Sequence, residues 1–299
     1  METAFPETKG SGQTPDVDNP AAPAPARRPL VTIRPKSGWY ALNLLQVWQY
    51  RDLLVTLAGR DVKLRYRQTA LGVVWVVLQP LIAAGIFSFV FGKVAKMDSQ
   101  GRPYLVFSYA GLLGWNAFSG TLTKVSGCLV GNANLISKVF FPRLVLPLSN
   151  IFSTLIDFVV ALVMMGVLLA VWHINPGWNV LLLPVWLLVT LMFSTGVGLY
   201  AAALMVTYRD VQYILPVATG FLMYASPVAY GIASVPPQYR TIFALNPLCG
   251  LLEAFRWSLL DSGTLPMGSL TYSIIFSVIV FVGGAFAFKK MEKKFADVI

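Results

Sequence analysis

Residues 60–81 read Arg60-Asp61-Val62-Lys63-Leu64-Arg65-Tyr66-Arg67-Gln68-Thr69-Ala70-Leu71-Gly72-Val73-Val74-Trp75-Val76-Val77-Leu78-Gln79-Pro80-Leu81. A cluster of four cations ends where an uncharged run begins, and that run continues to Phe91. Its length is sufficient to cross the hydrocarbon core of a bilayer, which needs about 20 residues. Cations are costly in hydrocarbon and are attracted to the anionic cytoplasmic face of a membrane. This stretch therefore predicts a first membrane span that starts inside and runs outward.

The composition places the chain among membrane proteins. Hydrophobic residues make up 56% and charged residues 12%, whereas a soluble domain is roughly one quarter charged. The formal net charge of +10 comes largely from cations beside apolar runs, which the positive-inside rule explains without a nucleic-acid partner. The two cysteines, Cys128 and Cys249, have no metal-binding spacing. We predict an all-α polytopic membrane protein that binds no nucleic acid and no metal.

Apolar runs predict six transmembrane helices. They cover residues 69–94, 104–130, 144–172, 180–206, 212–230 and 270–288, within a transmembrane domain of residues 60–299. Most cations then fall on one side, including the four lysines after residue 288, so both termini are predicted to be cytoplasmic. Gly196 and Gly198 in the fourth span are small enough to allow close helix contact.

Three further segments are not spans. Residues 1–36 hold seven prolines among small polar residues, which predicts a disordered cytoplasmic tail. Residues 37–59 predict an amphipathic helix lying in the membrane interface, with Trp48 and Tyr50 at the headgroup level. Residues 231–268 are apolar but broken by Pro and Gly, so re-entrant helices are expected before the last span, with Glu253 and Arg256 paired at i,i+3.

A short helix is predicted at residues 132–142, between the second and third spans. Its apolar face of Leu135, Ile136, Val139 and Phe140 is expected to be exposed to the cytosol, where it favours docking into a groove of another protein. A turn lying on the membrane surface is the alternative.

Asp157 lies near the middle of the third predicted span, and an ionisable residue there indicates function or a specific partner. Lys124 in the second span is within snorkelling reach. Because the predicted spans contain no second carboxylate, a proton relay is disfavoured. A structural ion pair, or a polar contact facing a channel, is the better interpretation.

Aromatic residues form one face of the fifth predicted span. Tyr213, Phe221 and Tyr224 follow helical spacing in a span that Pro216 and Pro227 break towards its two ends. Phe87 and Phe91 form an i,i+4 pair near the outer end of the first span. Such a face can stack against sugar rings along a wet path, or it can simply pack between helices.

Three stretches resemble one family, the type-two ABC exporter permeases that move O-antigen, capsule and teichoic acid polymers. They are residues 60–80, residues 134–142, and Tyr208-Arg209-Asp210 with the later Ser226-Pro227-Val228 and Asn246-Pro247-Leu248. The resemblance covers about residues 40–299. It implies a homodimer with two copies of a cytoplasmic ATPase. The implied cargo is a lipid-linked polysaccharide carried across the bacterial plasma membrane, with O-antigen as the leading candidate.

The resemblance also implies roles for particular residues. The ATPase would contact Asn134, Leu135, Ile136, Lys138, Val139, Phe140 and Pro142, and the channel would be lined by Phe87, Phe91, Tyr213, Phe221 and Tyr224. The lipid pyrophosphate or headgroups would contact Arg60, Lys63, Arg65 and Arg67, although positive-inside anchoring explains these cations about as well.

Motifs for catalysis are missing from the sequence. It has no G-x-x-x-x-G-K-[ST] loop, so ATP and Mg are expected on the partner ATPase and no cofactor on this chain. It has no recognisable nucleophile-base-acid set either, so no catalytic residue is predicted. Two alternatives stay open: a membrane-embedded enzyme of glycan assembly, and an exporter of a drug or other small molecule with the same architecture.

Overall fold

A computed structural model describes residues 48–67 and 74–298, and of these the side chains of 64–67 and 293–298 lie outside the description. The helices in chain order are α1 (Arg51–Arg67), α2 (Val74–Phe87), α3 (Tyr104–Gly131), α4 (Ala133–Lys138), α5 (Val145–Val171), α6 (Leu183–Thr207), α7 (Val211–Tyr224), α8 (Pro237–Ala244), α9 (Pro247–Leu260) and α10 (Met267–Val298). A π-helical segment, Ser88–Val94, extends α2, and a 3-10 turn, Gly177–Leu182, leads into α6. Strands do not occur in these ranges, which agrees with the predicted all-α fold.

Four helical stretches of the described chain are long and apolar enough to cross a membrane. They are Val74–Val94, Val145–Val171, Gly177–Thr207 and Met267–Glu292. The protein is therefore a multi-pass membrane protein. Six spans stay a prediction, because α3 is long but less apolar and α7 has only 14 residues, ending at Tyr224 rather than at residue 230.

Helix α3 forms the centre of the bundle. It packs against α2, α5, α6 and α9, and most of its residues are buried. Its aromatic residue Phe118 stacks on Phe193 of α6 with ring centroids 5.3 Å apart, and the adjacent Trp115 lies 5.6 Å from Phe118. A helix that is buried along most of its surface needs less hydrocarbon-facing area, which explains why α3 carries more Gly, Ser, Thr and Asn than the outer helices.

Close helix contacts occur where the sequence predicted them. A Cβ on Gly196 would lie 2.6 Å from backbone atoms of Phe281 in α10, and a Cβ on Gly198 would lie 2.8 Å from Val125 Cγ1 in α3. A Cβ on the facing residue of α10, Gly284, would likewise collide with the backbone oxygen of Gly196. Helix α6 thus contacts two neighbours through glycines on different faces, and this prediction is confirmed.

Replacing Gly196 by leucine is expected to destabilise the bundle by about 3 kcal/mol, because the new side chain collides with backbone that has no rotamer to escape into. The matched control is Gly283→Leu on α10, where a Cβ meets nothing within 4 Å. Thermal unfolding of the two purified variants in detergent measures the difference. Equal melting temperatures for Gly196→Leu and Gly283→Leu would contradict a close backbone contact between α6 and α10.

The end of the bundle that carries α1 has a second core. Leu57 and Ala58 of α1 are buried there, while Trp48 and Val55 are exposed. Helix α1 packs along α5 and continues to Arg67, eight residues beyond the predicted interfacial helix of 37–59. Residues 1–36, predicted as a tail, and residues 37–47 lie outside the described residues.

Candidate functional site

The segment after α4 presents an exposed apolar tip. Helix α4 is shorter than the predicted 132–142, and its last residue, Lys138, is followed by extended chain. Phe140 is 75% exposed and Val139 is 46% exposed, and the polar side chains of Asn134 and Lys138 are exposed beside them. We call Asn134, Lys138, Val139 and Phe140 the α4 tip.

Two of the predicted surface residues point inward instead. Ile136 is only 5% exposed and packs in the second core, and Leu135 is half-buried against the same core. The expectation that Ile136 belongs to the exposed apolar face is therefore wrong. The physical reason is that Phe141, Val145 and Leu57 supply an apolar pocket for it within the same chain.

Hydrogen bonds at Asn132 and Ile136 hold the α4 segment to its neighbours. The Asn132 side chain donates to the carbonyl of Cys128 in α3 at 2.9 Å, and Arg60 of α1 donates to Asn132 Oδ1 at 2.8 Å. Arg143, just before α5, donates to the carbonyl of Ile136 at 2.9 Å. These bonds join the segment from which the α4 tip projects to α1, to α3 and to the chain that enters α5.

The predicted basic cluster is only partly visible. Arg60 donates to Asp61 Oδ1 as well as to Asn132, so its guanidinium is committed to contacts within the chain. Lys63 is exposed. The side chains of Arg65 and Arg67 lie outside the described residues. Of the described members, Lys63 is the better placed to meet an external anion.

The predicted pairing of Lys124 with Asp157 is confirmed. Lys124 Nζ donates to Asp157 Oδ2 at 2.8 Å and to Ser153 Oγ at 3.0 Å, which joins α3 to α5. The side chains are 19% and 20% exposed, so the pair is partly shielded from its surroundings. A second link, from the Asn150 side chain to the carbonyl of Lys124 at 3.0 Å, reinforces the same contact.

Replacing Asp157 by asparagine is expected to lower the free energy of unfolding by about 1–3 kcal/mol, between the values for exposed and buried ion pairs. The double variant Lys124→Met/Asp157→Leu should recover most of the loss, since it leaves no charge to desolvate. Thermal unfolding in detergent of Lys124→Met, Asp157→Leu and the double variant, arranged as a double-mutant cycle, gives the coupling energy. A coupling near zero would contradict a structural role for the pair.

The aromatic face of α7 is exposed in the single chain. Tyr213, Phe221 and Tyr224 are all largely exposed, while the opposite side of α7 faces α3 and α6. Phe87 and Phe91 differ, since both are half-buried and contact each other edge to face at 5.8 Å. The structure thus separates the five predicted channel residues into an exposed group on α7 and a packed pair on α2.

A cavity of about 630 Å³ lies between α2, α3, α5 and α7. The Lys124–Asp157 pair lines it, together with the side chains of Gln79, Asn116 and Trp75. No role for Asn116 was predicted from the sequence, although an amide in the middle of a long apolar run was the available signal.

Two of the stretches that resemble the exporter family, residues 226–228 and 246–248, contact each other after the last residue of α7. The Asn246 side chain donates to Ser226 Oγ at 2.8 Å and accepts from the backbone N–H of Leu248 at 3.0 Å, capping α9. Both prolines, Pro227 and Pro247, fit this arrangement because neither position needs a donor N–H.

An arginine anchors the same junction. Arg256 is fully buried, donates to Glu253 Oε1 at 3.0 Å and to the carbonyl of Val228 at 2.7 Å, and lies 4.3 Å over the ring of Phe107. The predicted i,i+3 pair is therefore confirmed. It also holds the chain that follows α7, which sequence spacing did not indicate.

Comparison with known proteins identifies the class of this arrangement. Residues 52–260 match the model of the ABC-2 type transporter family, so the chain belongs to that family. The matched range runs from α1 through the α4 tip and the cavity to the end of α9. Members of this family are transport permeases of ABC exporters rather than enzymes.

Individual relatives narrow the comparison. An O-antigen export system permease protein, RfbA, of Klebsiella pneumoniae is 29% identical over 252 residues, which cover 83% of this chain and 95% of the relative. The O-antigen export system permease protein RfbA of Myxococcus xanthus is 29% identical over 256 residues, which cover 85% of this chain and 98% of the relative. The polysialic acid transport protein KpsM of Escherichia coli is 26% identical over 243 residues, which cover 78% of this chain and 91% of the relative.

Proposed function

We propose that this chain is the permease subunit of an ATP-driven ABC transporter that exports a lipid-linked surface polysaccharide across the bacterial inner membrane. O-antigen is the leading candidate for that polysaccharide. One observation carries the proposal: polysaccharide export permeases align with the chain over most of its length. The family match supports the ABC mechanism. ATP and Mg would be bound by a separate ATPase subunit, because this chain has no phosphate-binding loop.

The α4 tip is the proposed contact for that ATPase. An exposed phenylalanine beside an exposed valine is costly in water and gains from burial in a groove of a partner. The flanking Asn134 and Lys138 would supply polar contacts at the rim. Leu135, Ile136 and Pro142 then support the tip from within the chain rather than touching the partner.

Six spans with cytoplasmic termini are proposed. Helix α3 is about 42 Å long at 1.5 Å per residue, enough to cross. Helix α7 is only about 21 Å long, but residues 226–229 that follow it are buried. Non-helical chain at membrane depth is tolerated when protein surrounds it, and Arg256 hydrogen-bonds the carbonyls of Pro227 and Val228 there.

A homodimer is proposed as the conducting unit. Helix α7 exposes Tyr213, Phe221 and Tyr224, and two copies facing each other would line a path with aromatic rings. Tyrosine and phenylalanine faces pair with the C–H side of a pyranose, and the tyrosine hydroxyl can contact its polar edge. Phe87 and Phe91 on α2 would border the same path. Lys63, with Arg65 and Arg67, would meet the lipid pyrophosphate at its start.

Deletion of the gene tests the function. Surface polysaccharide should disappear while lipid-linked chains accumulate inside the cell, and the wild-type gene on a plasmid should restore export. Immunoblots of intact and lysed cells measure both pools. If the polymer is never made, an assembly enzyme is indicated; if surface polymer is unchanged, the cargo is something else.

A further inference from the structure

Tyr104, the first residue of α3, contacts two elements that border the proposed export path. Its ring packs against Gly92 in the π-helical extension of α2, and its hydroxyl donates to the carbonyl of Ala229 at 2.8 Å. Ala229 follows shortly after Tyr224, the last residue of α7. One side chain therefore bridges the end of α2 and the chain that leaves α7. Because the α4 tip follows the last residue of α3, the bridge lies at the opposite end of that helix, the outer end in the proposed topology.

The contact with α2 requires a glycine at position 92. A Cβ on Gly92 would lie 2.8 Å from Cγ and 3.0 Å from Cβ of Tyr104, closer than side chains normally pack. These two atoms lie next to the Tyr104 backbone, so turning the ring about its own axis would not relieve the overlap. The segment Ser88–Val94 is also π-helical, a form that is rare in proteins and frequent at functional sites. The end of α2 is therefore held at a short distance from α3.

The hydroxyl of Tyr104 bonds to a segment that α9 also holds in place. Ala229 is buried, and Arg256 donates to the carbonyls of the two residues before it. Glu253 accepts from the backbone N–H of Ile232 at 2.9 Å. The chain that follows α7 is therefore fixed both to α9 and to α3, and through Tyr104 to the end of α2.

The spacing between α2 and α7 is what this bridge determines. Each of the two helices packs on α3, and each carries aromatic residues assigned above to the walls of the path. Aromatic rings stack on a sugar only within van der Waals distance, so the two walls need a defined separation. A residue that sets this separation affects transport without touching the cargo.

We propose that Tyr104 is a positioning residue of the export path, a role that rests on the export function proposed above. It fixes the outer end of α2 relative to the chain that leaves α7, so these two walls move as one unit during transport. In the proposed homodimer, the outer exit then widens between the two copies and not between α2 and α7 of one copy. Gly92 serves the same role from the α2 side, as the seat for the Tyr104 ring.

Spin-label distances test the positioning directly. Lys93→Cys and Ala225→Cys place labels on exposed residues of the two elements, and the native Cys128 and Cys249 are buried. Double electron–electron resonance on the purified permease–ATPase complex, with both labels on one copy, measures the distance across the bridge. We expect the same narrow distribution without nucleotide and with ATP trapped by vanadate. A mean distance that changes between these two states would overturn the proposal.

Two substitutions disturb the bridge from opposite sides. Tyr104→Phe removes the hydroxyl bond to Ala229, and Gly92→Ala pushes the end of α2 away from the ring. Each should broaden the distance distribution, because the two walls are then no longer fixed to each other. Distributions that stay unchanged in both variants would show that the bridge does not set the spacing.

Each substitution has a matched control. Tyr109→Phe removes a similar bond, from the same helix α3 to the carbonyl of Ala161 in α5 at 3.1 Å. Gly85→Ala adds the same methyl group to α2 at a position where a Cβ meets nothing within 4 Å. Neither control should alter the distance. If the controls broaden it equally, the effect is a general loosening of the bundle and the positioning role is wrong.

Export gives the functional readout. In the complemented deletion strain, Gly92→Ala and Tyr104→Phe should each lower surface polysaccharide about tenfold, which is equivalent to roughly 1.4 kcal/mol. Basal ATP hydrolysis by the purified complex should be unchanged, because the α4 tip is untouched. Loss of hydrolysis together with export would indicate a structural role only and would overturn the proposal.

The two failures can be told apart. If the wild-type gene does not restore surface polysaccharide, the export function is wrong. If it does, and both Gly92→Ala and Tyr104→Phe export as well as Gly85→Ala and Tyr109→Phe, only the positioning proposal is wrong.

Discussion

Replacing Phe140 by aspartate is expected to abolish export while leaving the chain folded and in the membrane. Phe140 is 75% exposed and contributes nothing to the core, so the loss should be confined to a partner. An aromatic anchor in a protein interface typically contributes about 2–4 kcal/mol, or a factor of about 30 or more in affinity. Placing a carboxylate in the receiving groove adds a desolvation cost.

Affinity co-purification of the ATPase with the permease measures this effect, with surface polysaccharide as the second readout. The matched control is Trp178→Asp, which changes an 84% exposed aromatic at the opposite end of α5 and should leave assembly intact. Normal recovery of the ATPase with the Phe140 variant would exclude the α4 tip as its contact.

Removing Glu253 is expected to cause the largest loss of stability among the variants considered. Glu253→Ala would leave the Arg256 guanidinium fully buried with carbonyl partners only, and breaking a buried pair in this way costs about 3–5 kcal/mol. Export should fail as well, because Arg256 holds the chain that ends α7 and so positions the aromatic face.

The control has the same i,i+3 spacing on a partly exposed surface. Lys289 pairs with Glu292 near the end of α10, and Glu292→Ala should change stability by no more than about 1 kcal/mol. Thermal unfolding in detergent compares the two variants, and Glu253→Leu/Arg256→Met should regain part of the loss. Similar small shifts for both single variants would contradict the anchoring role.

Much of the helical framework was predictable because long apolar runs have clear ends. The third and fourth predicted spans agree with α5 and α6 to within a few residues, and Gly196 was correctly placed at a helix contact. Lys124 and Asp157 were identified as partners because charged groups inside apolar helices have few ways to be satisfied.

Burial of single residues in short segments was not predictable. Helix α4 has six residues, too few for a periodic pattern, so only the packing of Phe141 and Leu57 reveals that Ile136 faces inward. The hydrogen bond from Arg60 to Asn132 was not predicted, because the two residues lie 72 positions apart in the sequence. The cavity around Asn116 requires four helices to be placed at once, which no local pattern specifies.

Glycan export is measured most directly by transport in proteoliposomes that contain the purified permease and its ATPase, with the ATPase facing outward. Lipid-linked glycan inserted in the outer leaflet is exposed to an added glycan-specific antibody. ATP is expected to move the glycan inside, so antibody binding should fall with time, and only when both subunits are present. Antibody binding that stays constant with ATP, or that falls equally without the ATPase, would contradict this expectation.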